Sequence, residues 1–594
     1  MLPNYQKQVK EIDNKIHVLN QKDNKLSLLR LLSFLSFSAG LVWAVSLATV
    51  FSFLLPLILL LIFIAVLSAH QKTRKSISET HTLKELLENE INVLHFRGNQ
   101  YYNGNVFVDA DHDFSLDMDI FGENSLFQYI NRCATGVGNQ KLADILRSCH
   151  SRESILERQE MVKELATEKD WSLNLRQMLF KKCMKDFSKE LLPEIKNTIQ
   201  PPVHYRYLLV SSYIVLALSL IGIPFLKPGG WMLLIPVFFN MILLSRTGKF
   251  IKTIKAQLVG REGILNEYRK ILSVFEKKQW RSVYLKNLQK KLSADGVSSS
   301  KIIETLHKRS RESEYTLNML TAAILNYFFA WDLFVTMRNA GWFKQYAEKT
   351  RVWFDVIGQV ESLLSLANIQ QNHSWVYPRI TEGDFCFQAS DMGHPLIPEN
   401  ERVTNSFTMK KPATTSIITG SNMAGKSTFL RTIGTNIILA HAGAPVCASQ
   451  FTISMFRIMT YLTITDSLSE NTSTFYREIK RLKKLLDSSK QDKNVLLLLD
   501  ELLRGTNSAD KARGSIAITR ELVENKIPSV IATHNLELAD MQKQYQQQIR
   551  NYYFDITIEN NEEMRFDYKL KEGVCNTFNA SILLKEIGIN IDMG

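Results

Sequence analysis

The sequence predicts an α + α/β chain, in which a helical core carries two transmembrane hairpins and is followed by a P-loop α/β domain. Three observations carry that prediction. Two long stretches are almost wholly apolar, from Leu31 to Ala69 and from Leu208 to Leu244. Around them apolar residues recur at helical spacing, through 125–190 and again through 246–375. After Tyr377-Pro378 the pattern changes to short β-branched runs separated by helical sequence, which is how a parallel sheet buried on both faces reads: Ser416–Ile418, Val495–Leu499 and Ser529–Ile531. At 594 residues, with 45% apolar and 22% charged, the chain has room for three or four domains and is too ordinary in composition for disorder or a disulfide scaffold. Its six cysteines lie far apart with no C-x-x-C pair, which excludes a zinc ribbon and points to a reducing compartment.

Residues 1–30 read as a basic cytoplasmic N-terminus. The run 31–69 holds 39 residues without Asp, Glu, Lys, Arg, His, Asn or Gln. One helical crossing takes ~20 residues, so this length suits two spans joined by a tight turn. A signal peptide is shorter and begins earlier. Residues 70–114 form a helical linker and 115–204 the first part of the core. The second hairpin, 205–245, has its turn spelled out by Lys227-Pro-Gly-Gly230. Its 14-residue second arm also suits a buried core hairpin. Lys/Arg residues flank both hairpins on both sides, among them Lys25, Arg30, Lys72, Arg74, Arg206, Arg246 and Lys249. By the positive-inside rule the flanks stay cytoplasmic, which makes the expected location a bacterial-type cytoplasmic membrane, crossed four times. Residues 246–375 form a basic helical arm and lever, and 376–594 the α/β domain.

Chemistry concentrates in that last domain. The loop Gly420-Ser421-Asn422-Met423-Ala424-Gly425-Lys426-Ser427, with Thr428 opening the next helix, follows a strand and precedes a helical pattern. Such a G-x-x-x-x-G-K-S loop turns backbone N–H groups toward phosphates, with Lys426 on the β/γ-phosphates and Ser427 on Mg²⁺. The strand Leu496–Leu499 ends in Asp500-Glu501. Asp500 suits the metal shell and Glu501 the orientation of an attacking water, because phosphoryl transfer relies on positioning and charge neutralisation. His534, after a third strand, suits γ-phosphate sensing. ATP and Mg²⁺ are thus the expected cofactors of an ATP hydrolase.

These motifs resemble one family. Thr419–Thr428, Asp500-Glu-Leu-Leu-Arg-Gly-Thr-Asn507 and Tyr568-Lys-Leu-Lys-Glu-Gly573 look like the ATPase domain of MutS-type DNA mismatch repair proteins. Upstream, Ser125–Gly138 through Glu157-Arg-Gln-Glu160, and Ile357–Ala367, are similar to that family's core and lever. The resemblance covers roughly 115–200 and 350–590 and leaves the hairpins outside it. It implies an ABC-class ATPase that works as a homodimer, in which Ser473, Thr474 and Glu478 complete the partner's nucleotide site and Asn422 lies near the phosphates. It also implies an adenine site in which Tyr568 covers one face, while Arg402 stands where relatives carry an aromatic residue.

Other departures shape the expected function. Mismatch-recognising relatives place two domains ahead of the core, one of which wedges a Phe-x-Glu motif into DNA. Here only about 115 residues precede the core and a hairpin uses many of them, so Phe121-Gly122-Glu123 is expected to be a decoy. The chain ends at Gly594, before a helical dimerisation element that many relatives carry, which leaves the membrane helices as a means of holding the dimer. From Arg246 to Arg309 there are 16 Lys/Arg against 5 Asp/Glu, which supplies most of the net charge of +13. That stretch suits sequence-independent contact with DNA phosphates, and equally contact with anionic headgroups. The leading expectation is a membrane-anchored ATPase acting on DNA without single-mismatch recognition. The alternative is a membrane ATPase whose cycle moves its transmembrane helices, against which stand the missing L-S-G-G-Q stretch and the absence of intramembrane charge.

Overall fold

The computed structural model describes residues 2–47, 49–180, 202–225, 229–294, 296–421, 424–462, 474–492, 494–504, 506–558 and 564–575. It divides into two compact units, one comprising Met1–Asn131, Ala143–Thr167 and Ser365–Gly594, the other Arg132–Leu142 and Glu168–Leu364.

The first unit opens with a helical hairpin, Leu2–Leu47 and Leu54–Leu94, turned through a 3₁₀ segment at Val50–Phe53. The uncharged run 31–69 forms its closed end. Both helices continue well past that run, so the predicted N-terminal tail and the first part of the linker are helix. Charge pairs hold the open end: Lys84 reaches Asp13 at 2.7 Å and Arg74 reaches Asp23 at 3.6 Å. Close backbone approach holds the closed end, where a Cβ on Gly40 would lie 3.0 Å from the Leu59 side chain and Ser52 Oγ donates to Ala44 O at 3.0 Å. Small residues at such contacts let two helix backbones approach closely.

The same unit holds two sheets. The larger has six strands in the order Met564–Glu572, Ile549–Ile558, Thr415–Thr419, Ser529–Ala532, Val495–Asp500, Arg457–Tyr461, all parallel except the first. Its three central strands are buried on both faces, as their unbroken apolar runs predict. Ala532 lies level with both Ile418 and Asp500, which brings the carboxyl ends of those three strands to one edge. That is where open α/β sheets bind ligands. The smaller sheet orders Arg379–Thr381, Gln450–Ser454, Cys386–Met392 and Asn405–Lys410. Phe121 is buried against Phe107 and Phe127, with the Arg147 guanidinium over its ring, so the aromatic residue of the Phe-x-Glu sequence is part of a core.

The second unit carries the second hairpin, Val203–Gly222 and Leu234–Ala256. The two arms share a buried hydrogen bond, Ser212 Oγ to Asn240 Oδ1 at 2.6 Å. Among the described residues four helices are long and apolar enough to cross a membrane, two from each hairpin. The lever helix, Trp331–Asn372, supplies residues to both units. In the second unit its buried Glu361 accepts from Ala134 N at 2.8 Å and from the Thr135 hydroxyl, and burial pushes that carboxyl up to about 7. Gly358 lies so close that a Cβ there would meet Gly138 N at 3.0 Å. Two sequence segments read separately as core and lever are therefore one packed joint.

The arm between hairpin and lever is not one helix. It breaks into Glu262–Lys277, Val283–Lys290, Ser299–Glu314 and a short apolar helix, Met319–Phe329, which meets the lever at 81° through Ala330 at φ +47°. Part of its basic excess is spent internally, in Lys255–Asp332, Lys278–Glu168, Lys270–Glu267 and Lys308–Glu304 pairs.

Candidate nucleotide-binding site

The phosphate loop leaves the strand Thr415–Thr419 and enters the helix Lys426–His441. Gly420 takes φ +145°, and a Cβ there would lie 2.8 Å from Phe554 O. Gly425 takes φ +103° as the helix N-cap, with the Tyr568 ring 3.1 Å from where its Cβ would be. Both positions require glycine, one for a close backbone approach and the other for its left-handed backbone. Asn422, Met423 and Ser473 lie outside the described residues. Thr474 opens the helix Thr474–Gln491.

Within the loop Lys426 Nζ donates to Gly420 O and Ser421 O, each at 2.8 Å. Burial lowers its pKa, against the pull of Glu501 and Asp500. Ser427 Oγ donates to Asp500 Oδ2 at 2.6 Å. Asp500 ends its strand almost fully buried, and burial raises its pKa against the Ser427 hydrogen bond and Arg504. Glu501 follows at φ +49°, a left-handed conformation that non-glycine residues adopt at a cost and that recurs at functional sites. Its carboxylate lies 3.3 Å from His534 Nδ1, 3.6 Å from Arg504 Nε and 3.8 Å from Lys511 Nζ. Burial alone would raise the Glu501 pKa, but these three neighbours together hold it below its ordinary value.

The residues fit a nucleotide and a divalent ion. Ser421 Oγ is buried with no hydrogen-bond partner among the described residues, an orphan that a phosphate oxygen would satisfy. A hydroxyl and a carboxylate at 2.6 Å are hard oxygen donors of the kind Mg²⁺ uses together with substrate phosphates. No cluster of three or more His, Cys, Asp or Glu side chains suited to a metal occurs among the described residues.

A cavity of about 360 Å³ opens beside the loop, lined by Lys426, Ser427, Thr428, Glu501, Tyr568 and His394 among others. Tyr568 is positioned by Asn405, which donates to its carbonyl at 3.0 Å and accepts from Leu570 N at 2.8 Å. Arg402 is not brought to this cavity. Its Nε and Nη2 donate to Ile397 O at 3.0 and 2.6 Å, Nη1 donates to Cys447 Sγ at 3.2 Å, and the guanidinium lies 5.6 Å from the Trp375 ring centre. Its neighbours Glu401 and Val403 line the cavity instead.

Two residues at the site escaped sequence reasoning. His394 lines the cavity, and burial, then Arg431 and Arg402, lower its pKa to about 4, so it is a neutral ring at physiological pH. The only signal was a histidine in the loop after a strand end. Asp117 is fully buried and accepts from Thr460 Oγ1 at 2.7 Å, Leu462 N at 3.1 Å and Arg481 at 2.6 Å. It thereby ties down both flanks of the segment that carries Ser473, and its partners lie more than 340 residues away.

Residues 416–584 match the family described as MutS domain V. Curated relatives include the DNA mismatch repair protein MutS of Persephonella marina, 31% identical over 237 residues that make up 39% of this chain and 27% of the relative. MutS protein homolog 4 of Homo sapiens is 30% identical over 39% of this chain and 25% of its own. Endonuclease MutS2 of Clostridium novyi is 30% identical over 40% of this chain and 29% of its own. The chain thus spans about a quarter of the length of these relatives.

Proposed function

We propose that the chain is a membrane-anchored, MutS-like ATP hydrolase that acts as a homodimer on DNA without testing single base pairs. The observation that carries this reading is the Ser427–Asp500 contact, with Lys426 and Glu501 beside it, at the ends of parallel strands in a segment that matches MutS domain V. Bound ATP·Mg²⁺ would supply the phosphoryl group and the divalent charge that screens it. The loop N–H groups and Lys426 bind phosphate oxygens, and Lys426 exchanges its two loop carbonyls for them. Ser427 and Asp500 would hold the metal. Glu501 stays ionised near neutral pH, so it can accept a proton from an attacking water, and His534 and Arg504 keep it in place. Tyr568 and His394 offer faces for the base.

The hairpins support the membrane assignment by length and composition, and their basic flanks support a cytoplasmic ATPase domain. DNA binding is supported by what the relatives are named for and by the exposed Lys286, Lys290, Lys291 and Lys301, whereas Arg246, Lys249 and Lys252 continue the second hairpin's own helix and suit headgroups. Burial of Phe121 supports the lack of a wedge.

The test is to measure ATP turnover and duplex binding of detergent-purified protein across a salt series, with paired DNAs differing by one mismatch. Binding should weaken steeply with salt and equally for both duplexes. Absence of ATP turnover refutes the enzyme, absence of DNA binding refutes the partner, and a preference of ~10-fold or more for the mismatch, about 1.4 kcal/mol, refutes non-discrimination.

A further inference from the structure

We infer that the helix Met319–Phe329 is a re-entrant element that beds in the acyl layer beside the second hairpin and returns without crossing. The inference rests on the membrane reading of the hairpins. From Tyr315 to Trp331 there is no charged residue. No residue of this helix is buried in the protein: Met319 is 88% and Leu320 77% exposed, and Leu317, Ile324 and Phe329 are exposed as well. Eleven residues at ~1.5 Å each span about 16 Å, half the ~30 Å of a hydrocarbon core, so the helix alone cannot cross.

The segment also comes back to where it left. Thr316 Oγ1 donates to Asp332 Oδ1 at 2.7 Å, and Lys255 Nζ donates to both residues at 2.7 Å. Asn326 closes the other half of the clamp, donating to Asp332 Oδ2 and accepting from Asp332 N, each at 2.9 Å. The excursion from 317 to 331 is therefore a loop with its ends pinned together. Its first helical N–H groups are met by Asn318, whose side chain accepts from Leu320 N and Thr321 N. A helix in hydrocarbon needs such internal satisfaction, because no water is there to supply it.

What covers the apolar face is indicated by where the helix rests. It packs on both arms of the second hairpin, and Tyr327 O accepts from Asn240 Nδ2 at 2.8 Å. Asn240 lies 15 residues before Lys255 on one continuous helix, about 22 Å at ~1.5 Å per residue. Arg246, Lys249 and Lys252 on that helix mark the headgroup level, so the contact sits six residues, about 9 Å, into the apolar arm, while Lys255 extends its long side chain back to the clamp from the basic flank. The hairpin arms it packs on expose apolar side chains of their own, among them Leu218, Phe238 and Ile242, so a lipid layer around the hairpin would also cover Leu320 and Ile324.

The test is photocrosslinking in the full chain, reconstituted in vesicles of phosphatidylcholine with about one quarter phosphatidylglycerol. A benzophenone amino acid is placed at Leu320 or Ile324, with Leu218 of the hairpin as the lipid-facing control and Val283 as the water-facing one; these two are matched at 62% and 61% exposure. Lipid adducts at Leu320 and Ile324 should come within about threefold of Leu218 and exceed Val283 by ~10-fold. Background yield at both positions while Leu218 reacts overturns the re-entrant helix and leaves the anchor standing. Protein–protein adducts in place of lipid show that a second copy covers the face, which also overturns it. Background yield at Leu218 as well brings down the anchor and this inference together.

Discussion

Asp332, at the base of the second hairpin, and Asp500, at the edge of the large sheet, are both largely buried carboxylates beside a lysine, yet they are held in opposite ways. Asp332 is saturated: Lys255, Thr316 and Asn326 take its oxygens and Asn326 takes its backbone N–H. Asp500 is held by a serine hydroxyl and by a half-exposed arginine, both of which a metal or a phosphate can displace. Lys255 is locked between two oxygens, whereas Lys426 rests on its own loop carbonyls. Burial is common to both places. What separates a structural charge cluster from a reactive one is whether its partners are replaceable.

The sharpest break in this comparison is Glu501→Gln, which keeps the shape of the reactive cluster and removes the acceptor for the water. ATP binding should persist while turnover falls by ~100-fold or more, read by nucleotide retention and steady-state hydrolysis. Asp332→Ala should do the reverse. It leaves Lys255 without its partner carboxylate, so the folded protein should lose about 3 kcal/mol in denaturant unfolding, at the low end for a buried pair because both groups are slightly exposed, with turnover per folded molecule unchanged. Asn240→Leu removes the hydrogen bonds that join the hairpin arms and the short helix, and should cost about 1 kcal/mol in the same measurement.

The smallest effect concerns pH. The Asp500 pKa is raised in the fold, so as pH rises from its ordinary 3.8 through the raised value the folded protein holds a proton that the unfolded chain has lost, and this residue's contribution to stability declines. Glu501 is lowered and works the other way, adding stability above its ordinary 4.5 that is lost as pH falls through the lowered value. Asp500→Asn should therefore stabilise the metal-free protein more at pH 7.5 than at pH 4.5 by thermal midpoint. An equal change at both pH values would overturn the raised Asp500 pKa.

Legibility in the sequence follows the range of the physics. The loop glycines, Lys426, Ser427 and the Asp500-Glu501 pair were readable because each lies within a few residues of the strand end that positions it. The two apolar helix pairs were readable because helices of that length and apolarity need long uncharged runs. Arg402 lies apart from the cavity for a local reason: its neighbours Glu401 and Val403 line it, and a shift of one residue decides which side chain points in. Asp117 was invisible because its partners lie hundreds of residues away and no pattern links them. The short apolar helix was hidden by its length, 17 uncharged residues from Tyr315 to Trp331 inside a basic region, below what a span requires.

Glu501 sits at φ +49°, where glycine is at ease, Asn and Asp are tolerated and a glutamate is strained. Selection for stability alone would push this position toward glycine, since the left-handed backbone costs an L-residue about 1 kcal/mol or more. If Glu501 serves hydrolysis as proposed, a population of such genes freed from that need should drift there early, and would keep the fold while going silent. The persistence of a carboxylate at so uncomfortable a backbone angle would then be a mark, readable in any future collection of sequences, of lineages in which turnover still matters.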